Sequence, residues 1–154
     1  LTPIVVKIME RIIATLLRAF CCDHNIIPKK QHGFTPGRSV TTNLLLCVDD
    51  WTKMLDNKLP ADVFYLDFAK AFDHVPHCRL LYKLEHLGVR GPLLDWLSSY
   101  LRGRIFRVRV SSHLSDEAEL YSGVTQGSVI GPLLFLLDVF DLSLCIKSRI
   151  FFRR

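Results

Sequence analysis

At the start of the run FYLDFAKAFDHV, residues 64–75, the carboxylate of Asp67 sits among residues that otherwise read as a buried strand. Val63, Tyr65 and Asp67 fall on one face and Phe64, Leu66 and Phe68 on the other. Burying an ionised carboxylate is costly unless it is paired, hydrogen-bonded or bound to a metal. Asp67 is therefore either a metal-binding aspartate at a strand end or an edge-strand residue paired with Lys70. A second run, YSGVTQGSVIGPLLF (residues 121–135), sets Gly123, Gly127 and Gly131 around Gln126 and Ser128 just before an apolar segment. Such glycines let a backbone approach a ligand closely, but the run matches neither the Walker A nor the dinucleotide pattern, and by itself a plain turn explains it better. A third, QHGFTPGRS (31–39), is polar and turn-rich, with Arg38 close in sequence to Lys29 and Lys30. Taken singly, Arg38 reads as a surface arginine in a turn.

These runs need elements to hold them. Thr2 and Pro3 suit the start of a long amphipathic helix ending near Cys22, with Val5, Ile8, Ile12 and Leu16, joined by Met9, Ile13, Leu17 and Phe20, as its buried stripe. A second helix is expected over residues 42–55, with Leu44, Val48, Trp51 and Leu55 inward. A strand follows over 62–68. Pro76 opens a helix that runs to His86 and is closed by Gly88, and Pro92 opens another that runs to Leu101 and is closed by Gly103. Residues 104–110 and 117–122 read as two strands joined by the polar SSHLSDE turn. In the first, Phe106, Val108 and Val110 make an apolar face, and Arg107 and Arg109 a polar one that is either simply solvated or in contact with phosphate. Pro132 begins a final apolar helix to about Leu144.

With 154 residues, 49% of them hydrophobic, the chain can build one ordinary domain with a sizeable core, which excludes a disordered polypeptide. A net charge of +5 suits a polyanionic partner without requiring one. The cysteines, Cys21, Cys22, Cys47, Cys78 and Cys145, are odd in number and scattered, as expected of core residues in a reducing, intracellular compartment, cytoplasm or nucleus. His74 and His77 have a spacing that could serve zinc, but no second pair accompanies them. Lys7, Glu10, Arg11 and Arg18 exclude a membrane span over residues 4–20. The chain opens at Leu1 inside an apolar-periodic segment and stops just after another, so it is read as a fragment of a longer open reading frame.

Taken in order, LTPIVVKIMERII, QHGFTPGRS, FYLDFAKAFDHV, WLSSYLRGRIFRVRV and SGVTQGSVIGPLLFLL resemble the reverse transcriptases of LINE-type, non-LTR retrotransposons, over nearly the whole chain. The resemblance implies an α+β right-hand polymerase fold. Residues 1–60 would be fingers-side helices, 61–145 part of the palm and 146–154 a divergent tail. It implies RNA-directed DNA polymerase activity in the intact parent, with an RNA template, a DNA primer, deoxynucleoside triphosphates and two Mg2+ ions. Asp67 would be the first catalytic carboxylate, and the Phe68 carbonyl would join it in holding an ion. Phe72 would be the steric gate beneath the sugar; its alternative role is a core aromatic. Gln126 would line the nucleotide pocket, with Gly123 and Gly127 letting its loop lie against the base pair. Arg38 and Arg107 would contact nucleic acid.

The chain departs from the family pattern at four of these positions: Thr125 replaces a proline, Thr35 a basic residue, Asp138 an apolar one and Phe140 an asparagine. Asp138, between Leu137 and Val139, is expected to cost stability unless it faces solvent. The family's second carboxylate motif, an aromatic-Ala-Asp-Asp hairpin, has no counterpart in SLCIKSRIFFRR. The chain is therefore expected to be inactive by itself. The alternative reading is a non-catalytic retroelement remnant that at most binds nucleic acid.

Overall fold

The computed structural model describes residues 3–142. Helix α1 spans Ile4–Asp23, α2 Val40–Asp56, α3 His77–His86, α4 Pro92–Leu101 and α5 Gly131–Val139. Local chemistry accounts for most of the helix boundaries. Ser39 starts α2 with a reciprocal capping box: its hydroxyl accepts from Thr42 N–H, and the Thr42 hydroxyl accepts from Ser39 N–H. Pro76 precedes α3, and Gly88 ends it at φ 98°. Pro92 is the first residue of α4. Helix α5 ends at Val139, with Phe140 and Asp141 in a turn, which corrects the expected run to about Leu144. Thr2 and the stretch 143–154, including Cys145, lie outside the described residues.

The chain forms two compact units. The first joins residues up to Phe20 with Lys70–Val139. There α3 packs on α4 and α5, and Leu80, Leu84, Leu97, Leu101, Ile130, Leu133, Leu134 and Leu137 form a core closed to solvent. The predicted pair of long strands is realised as four strands of two residues each. Ile105–Phe106 (β1) pairs antiparallel with Ala118–Glu119 (β4), and Arg109–Val110 (β2) with His113–Leu114 (β3). Phe106, Val108 and Val110 are exposed rather than inward, and no layer of the described residues covers them.

The second unit centres on Cys21–Ala69. Its buried residues, among those described, are small or polar: Cys21, Gln31, His32, Gly33, Asn43 and Cys47. Cys21 and Cys47 are buried as expected; Cys22 and Cys78 are exposed thiols, which corrects their reading as core residues.

Three further expectations are overturned. Of the stripe expected on α1, Leu17 is buried and Ile13 and Phe20 are partly covered, but Val5, Ile8, Met9, Ile12 and Leu16 face outward, and Glu10 and Ala14 are buried in their place. The helix is apolar on two opposite sides, and the fold covers the one where the Glu10 carboxylate meets hydrogen-bond donors. In α2, Leu44, Val48 and Leu55 are exposed and only Trp51 of the expected four is partly covered; the inward positions are Asn43 and Cys47. Residues 62–68 form no strand and are exposed, Phe64 at 86%. A strand satisfies its backbone groups only through a neighbour, and no described residue pairs with this segment.

Candidate nucleotide-facing site

Within the first unit, the segment after Lys70 turns and lies against residues 121–125. Lys70 adopts φ 49°, and its carbonyl accepts from the amides of Asp73 and His74. Phe72 O then takes Val124 N–H at 2.9 Å, and Val75 O takes Gly123 N–H at 2.8 Å. Pro76 and Ser122 form an isolated antiparallel bridge. His77, buried at the start of α3, donates from Nε2 to Gly123 O at 2.7 Å, and Ser122 Oγ donates to Asp73 O. Gly123 is required here. Its φ is 94°, and a Cβ would stand 3.1 Å from Asp73 O. The Phe72 ring is half-buried, 5.1 Å from the Phe135 ring of α5 and tilted 39° to it.

The next residues make a four-residue turn. Ser128 N–H closes on Thr125 O at 3.1 Å, with Gly127 third at φ 82°, as a type II turn demands. Gln126 is second and exposed, and no partner holds it among the described residues. Both flanks of the turn are fixed. Arg104 donates to the Thr125 hydroxyl, and the Ser128 hydroxyl accepts Gly131 N–H at 2.9 Å, where α5 begins. Glu10 of α1 is fully buried; its Oε2 accepts Val129 N–H at 2.6 Å and its Oε1 accepts the Tyr100 hydroxyl at 3.1 Å. Burial raises the Tyr100 phenol above its usual range, against the pull of the Ser128 and Thr125 hydroxyls. The Arg104 guanidinium lies 5.8 Å from the Tyr100 ring centre, and Trp96 stacks on that ring at 5.1 Å.

The remaining site residues are placed as follows. Asp67 and Phe68 belong to the second unit and are exposed, and Asp67 has no ion-pair or hydrogen-bond partner among the described residues. Arg38, also in the second unit, turns Nη1 onto the carbonyls of Lys29 and Gln31, the latter at 3.3 Å, and so closes its own turn. It lines a shallow groove of about 440 Å³ with Lys29, His32, Gly37, Thr42, Leu45 and Leu46. His32 hydrogen-bonds Thr42 Oγ1 through Nδ1 at 2.8 Å, and burial, reinforced by the Arg38 charge, lowers its pKa. Arg107 pairs with Glu117, and Arg109 Nε donates to Ser111 O. Asp138 does not face solvent. It is buried, with Lys83 at 3.8 Å and Arg79 at 3.6 Å, both from α3, and Lys83 also donates to the Asp138 carbonyl.

The reverse transcriptase (RNA-dependent DNA polymerase) family matches residues 1–150. The chain belongs to this family. It is 36% identical over 142 residues to the "Probable RNA-directed DNA polymerase from transposon X-element" of Drosophila melanogaster, which covers 92% of this chain and 16% of that protein. It is 35% identical over 136 residues to the transposon BS polymerase of the same species, covering 88% of this chain and 15% of that one. The "RNA-directed DNA polymerase from mobile element jockey", again of that fly, is 35% identical over 142 residues, 92% of this chain and 15% of the relative. The chain thus spans about one sixth of the length of the relatives it matches. No solved structure matches it significantly.

Reverse transcriptases generally use divalent metal ions. Among the described residues no three His, Cys, Asp or Glu side chains converge on a point where an ion could sit. One exposed carboxylate, Asp67, and the adjacent Phe68 carbonyl do not by themselves make such a centre. No described helix is long and apolar enough to cross a membrane.

Sequence alone does not show that Glu10, Tyr100 and His77 fasten this reverse transcriptase segment's 121–129 stretch, and His77 reads there only as half of a zinc-spaced pair. One signal was available: Glu10, Ala14 and Leu17 are spaced i, i+4, i+7, a second helical stripe in which a carboxylate replaces an apolar residue.

Proposed function

We propose that this chain carries part of the fingers (1–60) and the first half of the palm (61–145) of a right-hand RNA-directed DNA polymerase, with a divergent tail from 146. Its substrates in the intact enzyme are an RNA template, a DNA primer and deoxynucleoside triphosphates. Phe72, Gly123, Gln126 and Gly127 face the nucleotide, Phe72 beneath the sugar; Arg38 and Arg107 approach the nucleic-acid backbone; Asp67 and the Phe68 carbonyl contribute to a magnesium centre. The observation that carries this reading is the pairing of Phe72 with Val124 and of Val75 with Gly123, which joins two separate sequence motifs in one layer and leaves Gln126 open on the adjoining turn. The two-ion transfer of the complete enzyme needs donors beyond Asp67, so no catalytic step is assigned to this chain. A second reading, for which the net charge of +5 speaks, is a non-catalytic remnant that at most binds nucleic acid.

Grafting tests the first reading. Residues 3–142 are placed in the X-element polymerase in exchange for the matching segment, and RNA-templated primer extension is measured with deoxy- and ribonucleotides. Phe72→Val should raise ribonucleotide use by about tenfold or more, each tenfold corresponding to about 1.4 kcal/mol, and Asp67→Asn should abolish extension. An active graft whose sugar preference ignores Phe72→Val would make that ring a core aromatic.

A further inference from the structure

Glu10 has no cationic partner among the described residues, and no solvent reaches it. A leucine at this position would fill the same face of α1 without desolvating a carboxylate, so the retained acid needs a purpose other than packing. Both of its oxygens are engaged, and both lead to one place. Oε2 holds Val129 N–H, immediately after the turn, and Oε1 holds the Tyr100 hydroxyl. Tyr100 in turn lies under Arg104, which grips Thr125 at the turn's start. The turn itself has a single internal backbone bond, from Ser128 N–H to Thr125 O, and its outer residues, Gln126 and Gly127, are exposed. A turn with one such bond has little rigidity of its own.

We propose that Glu10 is a positioning residue for the Thr125–Val129 turn, fixing where Gln126 is presented by holding one flank directly and the other through Tyr100 and Arg104. Its importance for polymerisation rests on the reading of Gln126 as nucleotide-facing; its action on the turn does not.

Amide hydrogen exchange on the 154-residue chain tests it. Glu10→Leu should speed exchange of the Ser128 and Val129 amides by about 10- to 100-fold, the loss expected when a hydrogen bond to a charged acceptor goes. Amides in α3 and α4 should change by less than about threefold, since a local opening leaves the core protected. Glu10→Gln keeps a carbonyl acceptor for Val129 N–H and should restore exchange to within a few-fold of the parent. Tyr100→Phe removes one hydroxyl and should loosen the same amides to a lesser degree; it decides the matter if Glu10→Leu does not fold. Uniform acceleration across the first unit, an unchanged turn, or exchange in Glu10→Gln as fast as in Glu10→Leu would each overturn the proposal. None of these outcomes bears on whether Gln126 meets a nucleotide, which the sugar-preference measurement decides separately.

Discussion

Removing Lys83 should harm the first unit more than removing the acid it faces. Asp138 is 9% exposed and Lys83 13%, at 3.8 Å, whereas Arg79 is 57% exposed. Breaking a buried pair from one side leaves an uncompensated charge, at about 3–5 kcal/mol. Arg79 remains in Lys83→Met but, screened by solvent, offsets at most about 1 kcal/mol, so a cost near 3 kcal/mol is expected. Asp138→Leu is milder, about 1–2 kcal/mol, because Lys83 is near enough to solvent to rehydrate and keeps its bond to the carbonyl of residue 138. The double variant, apolar on both sides, should fall within about 1 kcal/mol of the parent, giving a coupling of at least about 2 kcal/mol. Urea unfolding in a Trp51→Phe background leaves Trp96 of α4 as the reporter of this unit. With a slope near 2 kcal/mol per molar, Lys83→Met should lower the midpoint by about 1.5 M. If both single variants cost under about 0.5 kcal/mol and simply add, the pair is a surface contact and the reasoning fails.

Three further outcomes follow from the same structure. Gly123→Ala should destabilise by at least about 1–2 kcal/mol from the positive φ, with the approach to the Asp73 backbone adding to it; an unchanged urea midpoint would mean the segments at 72–75 and 122–124 can part freely. His32 titrates below its ordinary value of 6.5 in the folded chain, so the unfolded chain binds the proton more readily and stability rises with pH. That contribution is complete above 6.5 and is lost as pH falls toward the folded value; a His32→Gln variant should flatten the pH dependence of thermal unfolding between about 5 and 7, and an unaltered profile would count against a buried neutral imidazole. The purified 154-residue chain should not extend a DNA primer on RNA with magnesium, since positioning and metal ions supply nearly all the catalysis in phosphoryl transfer; magnesium-dependent extension would show that Asp67 is not short of partners.

The helix boundaries were legible because their causes are local. Pro76, Gly88 and Pro92 act on the turn beside them, and the structure has helices begin and end there. Which side of a helix is buried is not local. Helix α1 offers two apolar stripes, and the choice depends on Tyr100 and Val129, about 90 and 119 positions away in sequence. Residues 62–68 have strand composition, but a strand also needs a neighbour, which composition does not supply. Asp138 read as a misfit because its remedy, Lys83, lies 55 positions earlier. Of the candidate site, the family was legible from the order of short motifs, while the residues that fasten the loop were not, since each looks ordinary in its own helix.

The outward stripe of α1 has a consequence for the life of the chain rather than its chemistry. Ile4, Val5, Ile8, Met9, Ile12 and Leu16 present a greasy ridge that no described residue covers. Continuous apolar surface of this kind is what quality-control chaperones hold and proteases sample. Any form of the protein that leaves it uncovered is open to triage even when its core is well formed, and its abundance then follows surveillance more than the free energy of its fold.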